Sequence, residues 1–125
     1  MKTHIPDNTQ YHTPTEAEIK VITDQLESAT MQYTLKKGTV SKALRHKTVT
    51  EFWHILSGSG AIWRRNETQE SILPLKAGMS IDVPLGTDFQ YCSDKDDLIF
   101  ICITLPPASD PDEASVIEDC AWKPT

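Results

Sequence analysis

From Thr30 onward, turn signals punctuate this sequence at intervals of about 8–12 residues, and the stretches between them are too short for helices. Met31 to Leu35 alternates before the turn at Lys36-Lys37-Gly38, and Ser41 to His46 reads as a short strand. Glu51 to Leu56 is rich in aromatic and branched residues, Ser57-Gly58-Ser59-Gly60 is a hairpin turn, and Ala61 to Arg65 returns. Ser71 to Leu75 is interrupted by Pro74, which places it at a sheet edge. Met79 to Val83 and Phe89 to Cys92 follow as strands, separated by the turn Leu85-Gly86-Thr87. Leu98 to Leu105 is almost continuously apolar and reads as a strand buried on both faces, ended by Pro106-Pro107. This pattern predicts an all-β sandwich or barrel.

A chain of 125 residues is sized for one domain with one core. Residues 1–14 are polar and read as an N-terminal arm, 15–107 as the barrel, and 108–125 as an acidic C-terminal extension packing on it. Thr13 to Glu16 has the form of a helix start, but Ala17, Ile19 and Val21 alternate, so a strand over 17–23 is expected. The net charge of −6 argues against a nucleic-acid surface, since Arg64-Arg65 is the one local basic cluster. No stretch approaches the roughly 20 apolar residues of a membrane span, and the first residues lack a signal-peptide core, so a cytoplasmic location with no membrane partner is expected. Cys92, Cys102 and Cys120 are odd in number and lack metal-type spacing, so no disulfide framework is expected.

Two segments carry fixed spacings. In the first, five residues separate Gly38 from Leu44, His46 follows one residue later, four residues lead to Glu51 and six more to Gly58. In the second, five residues separate Gly78 from Pro84, Gly86 follows one residue later, and Phe89 and Ser93 stand further on. These resemble the two sequence motifs of the cupin superfamily, with Gly38, His46, Glu51, Gly58, Gly78, Pro84 and Gly86 at matching positions. The run Arg45 to Trp53, with Trp63-Arg64-Arg65 and Thr104-Leu105-Pro106-Pro107, is similar to a group of small single-domain bacterial cupins. The resemblance implies a double-stranded β-helix, or jelly-roll barrel, with a ligand pocket inside, and a homodimer formed by packing sheet on sheet.

The departures from the motifs bear on function. Leu44 and Phe89 stand where two metal-binding histidines would be, and Ser93 replaces an asparagine. The family's metal sites generally use three histidines and the glutamate; His46 and Glu51 alone would hold a divalent Mn, Fe, Ni or Zn ion weakly. Asp88 is a candidate third ligand, although alternation turns it away from the interior if Phe89 and Tyr91 face inward.

The expected pocket lining is Leu44, His46, Glu51, Trp53, Trp63, Phe89 and Tyr91, a half-apolar set suited to an aromatic or partly apolar small molecule. Trp53 and Trp63 lie on the two arms of one hairpin and are candidates to stack on a ligand, with core or dimer packing as the alternative. His54 alternates away from Glu51 and reads as a surface histidine. Two functional classes follow: a small-molecule-binding module with an incomplete His/Glu metal site, or an enzyme of isomerase, cyclase, lyase or dioxygenase type. The enzyme would use Glu51 and His46 for acid–base work or for a bound metal. A third class, a protein–protein module using the barrel exterior, predicts an empty or collapsed interior.

Overall fold

A computed structural model describes residues 10–12, 17–24, 28–106 and 113–125. The described residues hold no helix, and so none long and apolar enough to cross a membrane. The strands are β1 (Gln10–His12), β2 (Glu18–Asp24), β3 (Ala29–Leu35), β4 (Ala43–His46), β5 (Thr50–Ser57), β6 (Ser59–Arg65), β7 (Glu70–Lys76), β8 (Ser80–Val83), β9 (Asp88–Ser93), β10 (Leu98–Leu105) and β11 (Ala114–Ile117). They form two antiparallel sheets, ordered β1-β2-β3-β10-β5-β8 and β11-β4-β9-β6-β7. The all-β architecture expected from the turn pattern is thus present, in the two-sheet form that the resemblance implies. The strand expected at 17–23 is β2, and its helical alternative at Thr13 to Glu16 lies outside the described residues, as does most of the N-terminal arm.

The two sheets face each other across one core. Leu35, Trp53, Ile55, Val83, Leu98, Phe100 and Cys102 enter it from the first sheet, and Leu44, Ile62, Leu75, Phe89 and Tyr91 from the second. Strand alternation selects these residues: in β5, Glu51, Trp53 and Ile55 are buried while Phe52, His54 and Leu56 are exposed. Aromatic rings fill the centre. Trp53 stacks on Phe100 at 3.9 Å and 16°, and Tyr91 meets the Trp53 ring edge-on at 4.9 Å. Each such pair adds about 0.5–1.5 kcal/mol beyond its buried area.

All four spaced motif glycines take positive φ: Gly38 at 68°, Gly58 at 83°, Gly78 at 91° and Gly86 at 79°. The motif spacing therefore records where the chain turns from one sheet to the next. Gly58 is the most constrained, because a Cβ there would lie 2.1 Å from the Asp97 carbonyl oxygen.

Pro74 lies in β7, which is indeed an edge strand, where a missing N–H is tolerated. β10 departs from expectation. Leu98, Phe100, Cys102 and Thr104 are buried, but Ile103 and Leu105 are 37% and 40% exposed. The apolar run is one buried face plus an uncovered apolar outer face.

The C-terminal residues wrap the second sheet. β11 pairs with β4, setting Ala114 opposite His46 and Val116 opposite Leu44. Further on, Trp122 N–H donates to Gln90 Oε1 at 2.9 Å, and Gln90 Nε2 donates to the Trp122 carbonyl at 2.7 Å. This cover explains why β9 is buried on both sides, with Gln90 fully buried on its outward face.

Candidate functional site

β4 ends at His46, and residues 47–49 carry the chain across to β5. Alternation turns Leu44 and His46 inward from one sheet and Glu51 inward from the other, so the imidazole and the carboxylate meet at one end of the core. His46 Nε2 lies 2.6 Å from Glu51 Oε2, and its Nδ1 lies 2.5 Å from Glu113 Oε2. Trp53 Nε1 donates to the other Glu51 oxygen at 2.8 Å. The second Glu113 oxygen accepts the N–H groups of Thr48 and Val49 at 2.9 and 3.2 Å. His46, Glu51 and Glu113 are respectively 8%, 4% and 7% exposed, so this is a buried ionic centre.

Burial works against a charged imidazole, but bonding and attraction to Glu51 and then Glu113 outweigh it and raise the His46 pKa from 6.5 to about 9. His46 is then an imidazolium at neutral pH, donating from both nitrogens. Burial also works against an ionised Glu113, yet the Thr48 N–H and the His46 imidazolium hold its carboxyl below the usual range. The Phe89 ring stacks on the imidazole at 5.5 Å and 19°. Cys102 lies beside Glu51 and Trp53, and burial together with the neighbouring carboxylate pushes its thiol pKa well above the usual value. It is a buried thiol rather than a nucleophile.

Two further groups were not visible to sequence reasoning. Glu113 stands in the acidic run Asp110-Pro111-Asp112-Glu113, which reads as a solvated stretch. The buried hydroxyl of Thr104, cross-strand from Glu51, has no hydrogen-bond partner among the described residues. A threonine ending an apolar run carries no signal for either feature.

The sequence-predicted residues separate into two groups. Leu44, His46, Glu51, Trp53, Phe89 and Tyr91 come together at the core, where the apolar members pack on one another. Asp88 and Trp63 do not join them. Asp88 takes the outward parity that alternation requires: Arg45 Nε donates to one of its oxygens at 2.6 Å and Arg65 Nη2 to the other at 2.9 Å. The expectation of Asp88 as a third metal ligand is therefore corrected. Trp63 is buried on the face opposite Ile62, with its indole N–H on Glu70 at 2.9 Å and the Arg65 guanidinium 4.7 Å over its ring. It is not paired with Trp53 around a ligand. His54 is on the surface as expected, 2.9 Å from Ser80 Oγ.

As arranged, the donor set does not fit a firmly held metal ion. Both His46 nitrogens are committed to carboxylates, the neighbouring Leu44 and Phe89 offer no donor atom, and no group of three or more His, Cys, Asp or Glu placed to hold an ion is found among the described residues. The same commitment bears on acid–base chemistry: neither nitrogen can pass a proton to another molecule without first releasing Glu51 or Glu113.

No family model and no curated protein sequence matches the chain. Solved structures do. Oxalate decarboxylase from Bacillus subtilis superposes with a TM-score of 0.78 at 13% identity over 95% of this chain and 33% of that one. CapF, a capsular polysaccharide assembling protein from Staphylococcus aureus, gives 0.73 at 14% identity over 93% of this chain and 32% of its own. A protein with a double-stranded β-helix domain from Klebsiella pneumoniae gives 0.66 at 14% identity, covering 94% of this chain and 91% of that one. The chain thus spans about a third of the length of the first two and nearly all of the third. Two facing antiparallel sheets, turned at the spaced glycines and shared along nearly the whole chain with these structures, make this protein a cupin in its fold.

Proposed function

We propose that the protein is a small-molecule-binding cupin that works without a resident metal ion, its ligand meeting the barrel end where His46, Glu51 and Thr104 lie. The observation that carries this reading is the buried ionic centre itself. An imidazolium between two carboxylates is a poor way to stabilise a core, since apolar residues of equal volume often do as well or better. The unpartnered Thr104 hydroxyl beside it supports the reading, because a buried polar atom without a partner costs about 1–3 kcal/mol. Leu44, Trp53, Phe89 and Tyr91 supply an apolar wall, which suits a ligand with an aromatic or apolar body and a hydroxyl or carbonyl end.

The test is a ligand-observed NMR screen of small hydroxy-aromatic molecules against protein purified with a chelator, alongside melting scans with added Mn, Fe, Ni or Zn. Binding by the metal-free protein that is lost in Thr104→Val, with no rise in melting temperature from any of the four metals, supports the reading. Binding that appears only after metal is added contradicts it.

A homodimer through the outer face of the first sheet is the second reading, favoured by a specific surface. Phe52, His54, Ser80, Asp82, Ile101 and Ile103 line a cavity of about 440 Å³ on that face. The outward residues of β3, β5 and β10 include Thr30, Gln32, Phe52, His54, Ile101 and Ile103, none of them Asp, Glu, Lys or Arg. Asp82 on neighbouring β8 is the charged residue of the cavity and is paired with Arg64 Nη1 at 3.3 Å, so in a chain of net charge −6 this face lets a second copy approach with little repulsion.

A further inference from the structure

The centre around His46 contains a recognition site that the chain fills with one of its own side chains. The Glu113 carboxylate is bound from several directions at once. His46 Nδ1 is 2.5 Å from Oε2, while Oε1 accepts from Thr48 N at 2.9 Å, Val49 N at 3.2 Å and, more distantly, Thr48 Oγ1 at 3.4 Å. Successive backbone N–H groups beside a cationic side chain are the donor arrangement with which proteins take up free carboxylates.

The donors are held by more than the strand next to the carboxylate, although β11 also pairs with β4. They belong to β4 and to the connection after it, which other parts of the fold tie down. Gly86 N–H donates to the His46 carbonyl at 3.0 Å, Leu85 N–H donates to Thr50 Oγ1 at 3.2 Å, and Glu51 holds the opposite ring nitrogen. Lys47 N–H donates to the Glu113 carbonyl at 3.0 Å, so the main chain of residue 113 has an anchor separate from its side chain.

We propose that residues 46–49 form a carboxylate-binding site, that Glu113 is its internal occupant, and that the free ligand class it takes is a small monocarboxylate. Charge balance sets the number of occupants at one. The His46 imidazolium and the Glu51 carboxylate cancel, leaving the two N–H dipoles to bind a single anion. A free carboxylate enters only in exchange for the Glu113 side chain. In the native chain that side chain is tethered next to the site, at an effective concentration in the millimolar range or above. Binding of a free carboxylate and docking of the Glu113 side chain are therefore competing events at one place.

The experiment is chemical rescue in the full-length chain. Glu113→Ala is unfolded thermally at pH 7 in sodium acetate and in sodium chloride of equal ionic strength. Acetate, and not chloride, is expected to raise the folding constant of the variant, about 11-fold at ten times the dissociation constant, while leaving the native chain at its chloride value. Equal effects of the two salts on the variant overturn the proposal, as does an equal rise from acetate in the native chain. Glu113→Gln covers the case in which the alanine variant fails to fold. It keeps the size and one acceptor oxygen but turns an amide N–H₂ group towards the imidazolium, so it is expected to melt below the native chain at pH 7. A glutamine variant as stable as the native chain shows that the site does not select a carboxylate, and overturns the proposal.

Discussion

His46 keeps its charge through neutral pH because carboxylates face both its nitrogens. This linkage is measurable as stability. Its folded pKa of about 9 stands above the ordinary 6.5, so its contribution is complete below pH 6.5 and is lost as pH rises through 9. A shift of that size corresponds to roughly 3 kcal/mol. Glu113 acts with the opposite sign: its lowered pKa makes a contribution present above the usual carboxyl range and lost as pH falls through its folded value. Denaturant unfolding is therefore expected to show greatest stability between about pH 5 and 6.5, declining towards pH 9.5. In Glu51→Gln the decline above pH 6.5 becomes shallower; a native profile that is flat from pH 6 to 10 shows that His46 is not charged in the fold. At this scale the sequence was half legible. Motif spacing located His46 and Glu51, and alternation correctly turned Asp88 outward. Glu113 was hidden because it lies 67 residues from its partner, in a run whose acidity suggests solvent.

At the level of strands, what could be read was whatever turn chemistry and alternation control locally. The turn at Gly58, the edge strand carrying Pro74 and the inward set of β5 all follow from residues within a few positions of each other. The hairpin expected at Gly58 is corrected, however: β5 pairs with β10 and β8 in the first sheet and β6 with β7 and β9 in the second, so the turn crosses between sheets. What could not be read was cover. Trp63 sits on the outward parity of β6, and Gln90 on that of β9, yet both are buried, Gln90 because residues near the C-terminus pack over it. β10 errs in the other direction, since an apolar run signals burial on both faces only if something covers the second. Gly58→Ala tests how far the turns are imposed by the fold. Its positive φ and the 2.1 Å approach to the Asp97 carbonyl leave no room for a Cβ, so a loss of about 2 kcal/mol or more is expected in chemical denaturation. A loss under about 0.5 kcal/mol, the range of an ordinary surface substitution, shows that the turn can relax.

Across the whole molecule, a cupin fold is combined with an interior that its own side chains occupy. Leu44 and Phe89, which stand where the resemblance would place two histidines, are part of the core, and His46 is held between the Glu51 and Glu113 carboxylates. The fold could be read from glycine spacing because each of those glycines turns the chain. The buried ionic centre could not, because it depends on Glu113 joining from just before the last strand. The outer face of the first sheet provides a test of assembly. Sedimentation is expected to give a dimer for the native chain and a monomer for Phe52→Asp combined with Ile103→Asp; a native monomer at high micromolar concentration removes the second copy from that face.

The protonation of His46 is the most direct measure of the centre proposed to work without a metal. Imidazole 15N resonances of the chelator-treated protein are expected to show both ring nitrogens protonated at pH 7, titrating near pH 9 and unmoved by one equivalent of Zn. A His46 that titrates near 6.5, or whose Nε2 resonance shifts on adding the ion, contradicts it.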